Sequence, residues 1–83
     1  MNCSVYKSLK KVDYYLYVDQ YENFDRVPES LLKMLGKLDF VMTLDLDKRK
    51  KLSQADPQEV KQLIIEQGYF LQMPENHYHA GSA

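Results

Sequence analysis

The 83-residue sequence predicts an α+β fold, an α/β sandwich in which a mixed four-stranded sheet carries packed helices, and three observations support this. Two strand-type runs stand close together near the N-terminus. Two helix-type runs follow, each opened by a proline and closed by a glycine. Each helix-type run leads into a further short apolar run. The resulting order is β-β-α-β-α-β.

Residues 2–7, NCSVYK, alternate as a strand, and SLKKVD supplies a polar turn. Residues 14–19, YYLYVD, are rich in the aromatic and β-branched types that suit a pleated surface, so the two runs read as a hairpin. Pro28 suits the first turn of a helix, Leu31, Leu32 and Leu35 recur at helical spacing, and Gly36 stops it as a left-handed cap would. LDFVMTL at 38–44 is continuously apolar around Phe40, Val41 and Met42, which places it centrally in the sheet.

The strongest helix signal is DPQEVKQLIIEQG. Asp56 can accept from first-turn amides, Pro57 fits the first helical position, Glu59 occupies the capping-box position and Gly68 closes the end. Val60, Leu63 and Ile64 form its core stripe, with Ile65 widening it. YFLQM after Gly68 reads as the last strand, ended by Pro74. A helix between the third and fourth strands suits a crossover, hence the mixed sheet. Residues 1–74 form one domain and residues 75–83 a disordered tail.

Apolar types make up 45% of the chain and charged types 28%, which fits an ordinary globular domain. A net charge of -1 excludes a global basic footprint, so nucleic-acid binding would need a local patch. No apolar run is long enough for a membrane span and no signal-peptide pattern opens the chain; a cytoplasmic home is expected. The single cysteine, Cys3, lies in a strand pattern and reads as a buried hydrophobe. Neither a Gly-rich phosphate loop, a nucleophile elbow nor an HExxH motif occurs, and His77 and His79 lie in the tail, so no catalytic residue, metal site or cofactor is assigned.

Four blocks of sequence, YLYV at 15–18, RVPESLL at 26–32, LDLDKRKKL at 44–52 and EQGYFLQMP at 66–74, resemble in order and spacing the YcgL family, small proteins of gammaproteobacteria. The resemblance covers nearly all of the chain up to Pro74. It implies a cytoplasmic bacterial α/β domain with a helix-covered sheet, helices on both faces being compatible with it, and it assigns neither catalytic residues nor a cofactor. Two departures stand out: Lys48 occupies a turn position where similar sequences often have glycine, and the proline-rich continuation common after their last strand is not seen here.

Two surfaces are candidates for function. In LDLDKRKKL, Asp45 and Asp47 would share a strand face if the strand continued through both, a donor pair suited to Mg²⁺. Lys48, Arg49, Lys50 and Lys51 then form the one cationic run, suited to phosphate or to an acidic partner, although a solvated turn balancing its own aspartates is the simpler reading. In YYLYV, Tyr15 and Tyr17 share one face and, with Tyr6, could stack bases if uncovered or form core if a helix lies over them. The leading expectation is a non-enzymatic adaptor or regulatory module that binds a protein partner through the sheet edge or around Asp47–Lys51. The alternatives are an RNA-metabolism accessory using Lys48–Lys51, and a Mg²⁺-dependent phosphoryl-processing enzyme using Asp45 and Asp47. Oligomeric state is open.

Overall fold

The computed structural model describes residues 1–21, 23–48 and 56–74. Its elements follow the expected order: β1 (Asn2–Ser8), β2 (Tyr15–Val18), α1 (Glu29–Leu35), β3 (Leu38–Asp45), α2 (Pro57–Gln67) and β4 (Tyr69–Gln72). The expected tail at 75–83 lies outside the described residues.

The sheet runs β3-β1-β2-β4, and every neighbouring pair is antiparallel. The mixed sheet expected from the sequence is thus corrected to an antiparallel one. A helix between β3 and β4 suggested a link between neighbours, whereas α2 carries the chain across the whole sheet from one edge to the other. β3 is likewise an edge strand, not a central one. Five consecutive β3 side chains, Asp39 to Thr43, are exposed.

Side-chain alternation divides the sheet into two apolar faces. Cys3, Val5, Tyr17 and Leu44 meet Val60 and Ile64 of α2 on one face. Tyr6, Leu16 and Val18 meet Leu35 of α1 on the other, with Leu31 and Leu32 packed alongside. The helices therefore lie on opposite faces of one sheet, and fully burying an aliphatic side chain in either layer contributes about 1.5–3 kcal/mol. Ile65, expected to widen the α2 stripe, is exposed instead.

Local chemistry fixes the joints. Asp13 takes a positive φ of 66° in the β1–β2 turn, a conformation that aspartate tolerates. The buried Ser8 hydroxyl donates to the Leu35 carbonyl and accepts from the Lys11 amide at 2.8 Å, tying the hairpin to the end of α1. Pro28 stands just before α1, and its carbonyl accepts from Leu31 and Leu32. Gly36 ends that helix with φ 69° and ψ −144°, outside the left-handed helical region expected of it. For α2 the expected caps are present: the Asp56 carboxylate accepts from the Gln58 amide at 2.9 Å, and Gly68 adopts φ 94°, ψ −3°.

Candidate functional site

β3 ends at Asp45, so Asp47 sits in the following turn and the two carboxylates do not share a strand face. Asp45 Oδ1 accepts from the Asp47 amide at 3.0 Å and the Asp45 carbonyl from the Lys48 amide at 3.2 Å. This Asx-type turn is closed by aspartate, so the missing glycine at Lys48 costs the chain little. Asp47 is the hub of a charge cluster. Its Oδ1 takes a hydrogen bond from Lys61 Nζ at 2.8 Å, and its Oδ2 takes one from the Met1 amine. The Lys61 bond, then the amine, holds its carboxyl down to about 2. Mg²⁺ at Asp47 would have to displace both cations. Among the described residues, no three His, Cys, Asp or Glu side chains gather as a metal site. Lys48 is exposed beside this turn; Arg49, Lys50 and Lys51 lie outside the described residues.

The expected tyrosine platform is divided between the two faces. Val5 pairs with Tyr17 and Lys7 with Tyr15, whereas Tyr6 pairs with Leu16, so Tyr6 belongs to the opposite face. Tyr17 is buried against the α2 layer; its hydroxyl donates to Gln72 Oε1 at 2.8 Å, and burial raises its pKa to about 12. Tyr15 is half-buried on the same layer. An aromatic surface that sequence reasoning missed lies on the α1 face. Tyr21 and Phe40 meet edge-on at 5.0 Å between ring centroids, and Tyr6 touches both rings as well as Phe24. Tyr21 remains 60% exposed and Phe40 40%. The loop DQYENFDRV carries no periodic signal that would place Tyr21 and Phe24 on the sheet.

Among the described residues β3 and β4 are the two edge strands of the sheet, and they differ. Along β3, Val41 and Met42 are 43% and 38% exposed, but the β1–β3 register shifts between Val5 and Tyr6, leaving Val41 as an extra residue. A bulge with flanking Asp39 and Asp45 is a common means of discouraging edge pairing. β4 has neither device: Tyr69–Gln72 contains no charge and no proline and its pairing with β2 is regular, although the Gln67 side-chain amide donates to its Tyr69 carbonyl at 2.9 Å. Beside it opens a groove of about 590 Å³ whose apolar wall is formed by Leu31 and Met34 of α1, Leu63 of α2, and Phe70, Leu71 and Met73. The helices thus flank the β4 edge from both faces.

Arg26 holds this end together. Its guanidinium donates to the Glu66 carbonyl at 2.8 Å and the Ile65 carbonyl at 3.4 Å, where the C-terminus of α2 carries partial negative charge. Its aliphatic stem lies over Gly68, where a Cβ would stand 2.3 Å from that of Arg26. Cys3 is fully buried in the α2 layer, and burial lifts its thiol to about 11, the state of an inert core residue. Among the described residues no helix is long and apolar enough to cross a membrane.

Comparison with known proteins agrees with this geometry. A "YcgL domain-containing protein" of Shewanella sediminis is 51% identical over 74 residues, covering 89% of this chain and 80% of that one. "Protein YcgL" of Escherichia coli is 50% identical over 74 residues, or 89% of this chain and 68% of its own length. A "Putative HAD-like hydrolase" of Nitrosococcus oceani is 49% identical over 77 residues, 93% of this chain, and there the chain spans only 21% of the relative's length. The YcgL domain model matches residues 3–75, a span that takes in both apolar layers, the Asp47 turn and the β4 edge, and the chain belongs to the YcgL family.

Proposed function

We propose that this domain is a non-enzymatic adaptor that binds a protein partner along the edge of the sheet at β4. One observation carries the reading: among the described residues β4 is an edge strand with no charge, bulge or proline of its own, and it lies beside an apolar groove between two helices. Pairing backbone groups in such a groove is an established way for one chain to bind another. The matching stretch in the longer Nitrosococcus oceani relative supports a module that works beside other protein structure.

The test is affinity capture from bacterial extract with the intact domain and two variants. Met34→Lys puts a charge at the groove rim, and Val41→Lys does the same at the β3 edge. A protein retained by the wild type and Val41→Lys but lost with Met34→Lys is the expected result. Equal retention by all three, or retention of RNA that falls away with salt, would move the function to another surface.

A further inference from the structure

We propose that the end of the β1–β2 hairpin docks on an anionic phospholipid surface, with Leu9 and Val12 entering the headgroup layer and Lys7, Lys10, Lys11 and Lys37 meeting the lipid phosphates. The proposal goes beyond the adaptor reading and shares no residue with the wall of the β4 groove.

Backbone chemistry builds this end and leaves those side chains outside. The Ser8 hydroxyl accepts from the Lys10 amide at 3.2 Å and the Lys11 amide at 2.8 Å, and the Ser8 amide donates to the Tyr14 carbonyl at 3.0 Å. The Leu9 amide donates to the Lys37 carbonyl at 2.9 Å, which fastens the turn to the joint between α1 and β3. The stem of Lys10 lies over Gly36, the residue before Lys37. Two stretches distant in sequence thus bring their lysines to one end of the sheet, and no cationic run marks the patch. The turn so braced holds Leu9 55% and Val12 80% exposed, and neither belongs to a core layer.

The charge at this end is uncompensated. Among the described residues Lys7, Lys10, Lys11 and Lys37 form no ion pair, whereas Lys33 of α1 is held by Glu29 at 3.5 Å. The acids in the same two segments are Asp13 in the turn and Asp39, the register partner of Lys7. Four lysines against two aspartates leave two positive charges in excess, in a chain whose net charge is -1. The hairpin end is therefore opposite in sign to the remainder of the chain taken together.

Three features favour a bilayer over other polyanions. All four cations are lysines, point charges that suit a diffuse field, and none is the arginine fork that grips individual phosphates. The exposed side chains among them are aliphatic and offer no ring for a base to stack on, while Tyr14, next in the chain, is half-buried. Leu9 and Val12 also project from a turn and line no groove. An acidic protein would need a pocket shaped to receive them, whereas a headgroup layer closes around an apolar tip of any shape.

The experiment is co-sedimentation of the full chain with vesicles of phosphatidylcholine alone, and of phosphatidylcholine mixed equally with phosphatidylglycerol, at low and high salt. Binding is expected to the mixed vesicles only and should weaken as salt rises. The double variant Lys10→Gln/Lys37→Gln should weaken it about 25-fold, at about fivefold per lysine. Leu9→Ser/Val12→Ser should weaken it about tenfold or more. Arg49→Gln/Lys50→Gln, which removes charge from the cationic run instead, should have much less effect than either. These substitutions fall on exposed or loop positions, and an amide spectrum of each variant reports whether it is folded. In bicelles of the mixed lipids, a nitroxide on the acyl chain should broaden the amides of residues 9–12 before those of Tyr69–Gln72.

No binding to the mixed vesicles, indifference to Leu9→Ser/Val12→Ser, or a loss with Arg49→Gln/Lys50→Gln as large as that with Lys10→Gln/Lys37→Gln would overturn the proposal. So would tighter binding of single-stranded RNA or of polyglutamate through the same lysines, which would make the patch a nucleic-acid or an acidic-protein surface. None of these failures touches the adaptor reading, which stands or falls on protein capture by Met34→Lys.

Discussion

Gly68→Ala is the substitution on which the packing account of the β4 end depends most directly. The residue has φ 94°, and its amide donates to the Ile64 carbonyl at 2.8 Å, so the chain cannot relax that angle without undoing the α2 cap. A left-handed conformation costs a non-glycine residue about 1–2 kcal/mol. The new Cβ would also stand 2.3 Å from the Arg26 Cβ, a contact that only backbone movement relieves, and overpacking of this kind costs about 1–3 kcal/mol. Displacing Arg26 from the Ile65 and Glu66 carbonyls forfeits a charge–dipole interaction of about 0.3–1 kcal/mol. The expected loss is about 3–5 kcal/mol, close to half the stability of a domain this size. Urea unfolding followed by far-UV circular dichroism measures it. In the cycle with Arg26→Gly, which removes the opposing Cβ, the two changes should couple favourably by about 1 kcal/mol or more. A loss below about 1 kcal/mol, or strict additivity, would refute the stacked Arg26–Gly68 joint.

Three further outcomes are expected. The Asp47 carboxyl is held down to about 2 from an ordinary 3.8, so its stabilising effect is complete above about pH 4 and is lost as pH falls toward 2; Asp47→Asn should be less stable than wild type near pH 7 and equal to it near pH 2 in urea titrations across that range. Cys3, buried and with its thiol raised from 9.0 to about 11, should be alkylated by iodoacetamide near pH 8 at least about 100-fold more slowly in the folded than in the unfolded chain, and rapid labelling of the folded protein would contradict its place in the core. Deleting Val41 removes the extra residue between the Val5–Met42 and Tyr6–Phe40 pairs, and the straightened β3 edge should associate with itself in sedimentation velocity, whereas a protein monomeric at every concentration would show that the bulge does not guard that edge.

What the sequence made legible was local. Asp56, Pro57 and Gly68 delimit α2 through their own backbone chemistry, and the alternation of YYLYV separates Leu16 from Tyr17 whichever partner covers each face. What it concealed depends on distant pairing. LDFVMTL reads as a central strand because three large apolar residues follow one another, yet Val41 is the extra residue of a bulge and Phe40 packs on Tyr6 and Tyr21 at the margin of the sheet. Parity within one strand does not fix its register against the next, so the sequence alone does not reveal that Tyr6 faces away from Tyr15 and Tyr17. Arg26 looks like an ordinary loop cation; its acceptors lie 39 and 40 residues away. The β4 groove needs α1, α2 and β4 together, and no one of these segments marks it.

The difference between the two edges follows from the order of the chain. β3 is laid beside β1 before the chain crosses the sheet, and its edge carries a bulge and two aspartates. β4 arrives last, beside β2, and Gly68 is the single residue that joins it to α2. Arg26 braces this short joint by binding the last carbonyls of α2 while its stem covers Gly68. The contacts that brace this end therefore adjoin Gln67 and Tyr69 of the groove wall. Loosening Arg26 should alter access to β4 even though its side chain forms no part of the apolar wall. A partner bound in the groove should in turn tighten the α2 terminus, because whatever binds the folded arrangement alone stabilises it by mass action.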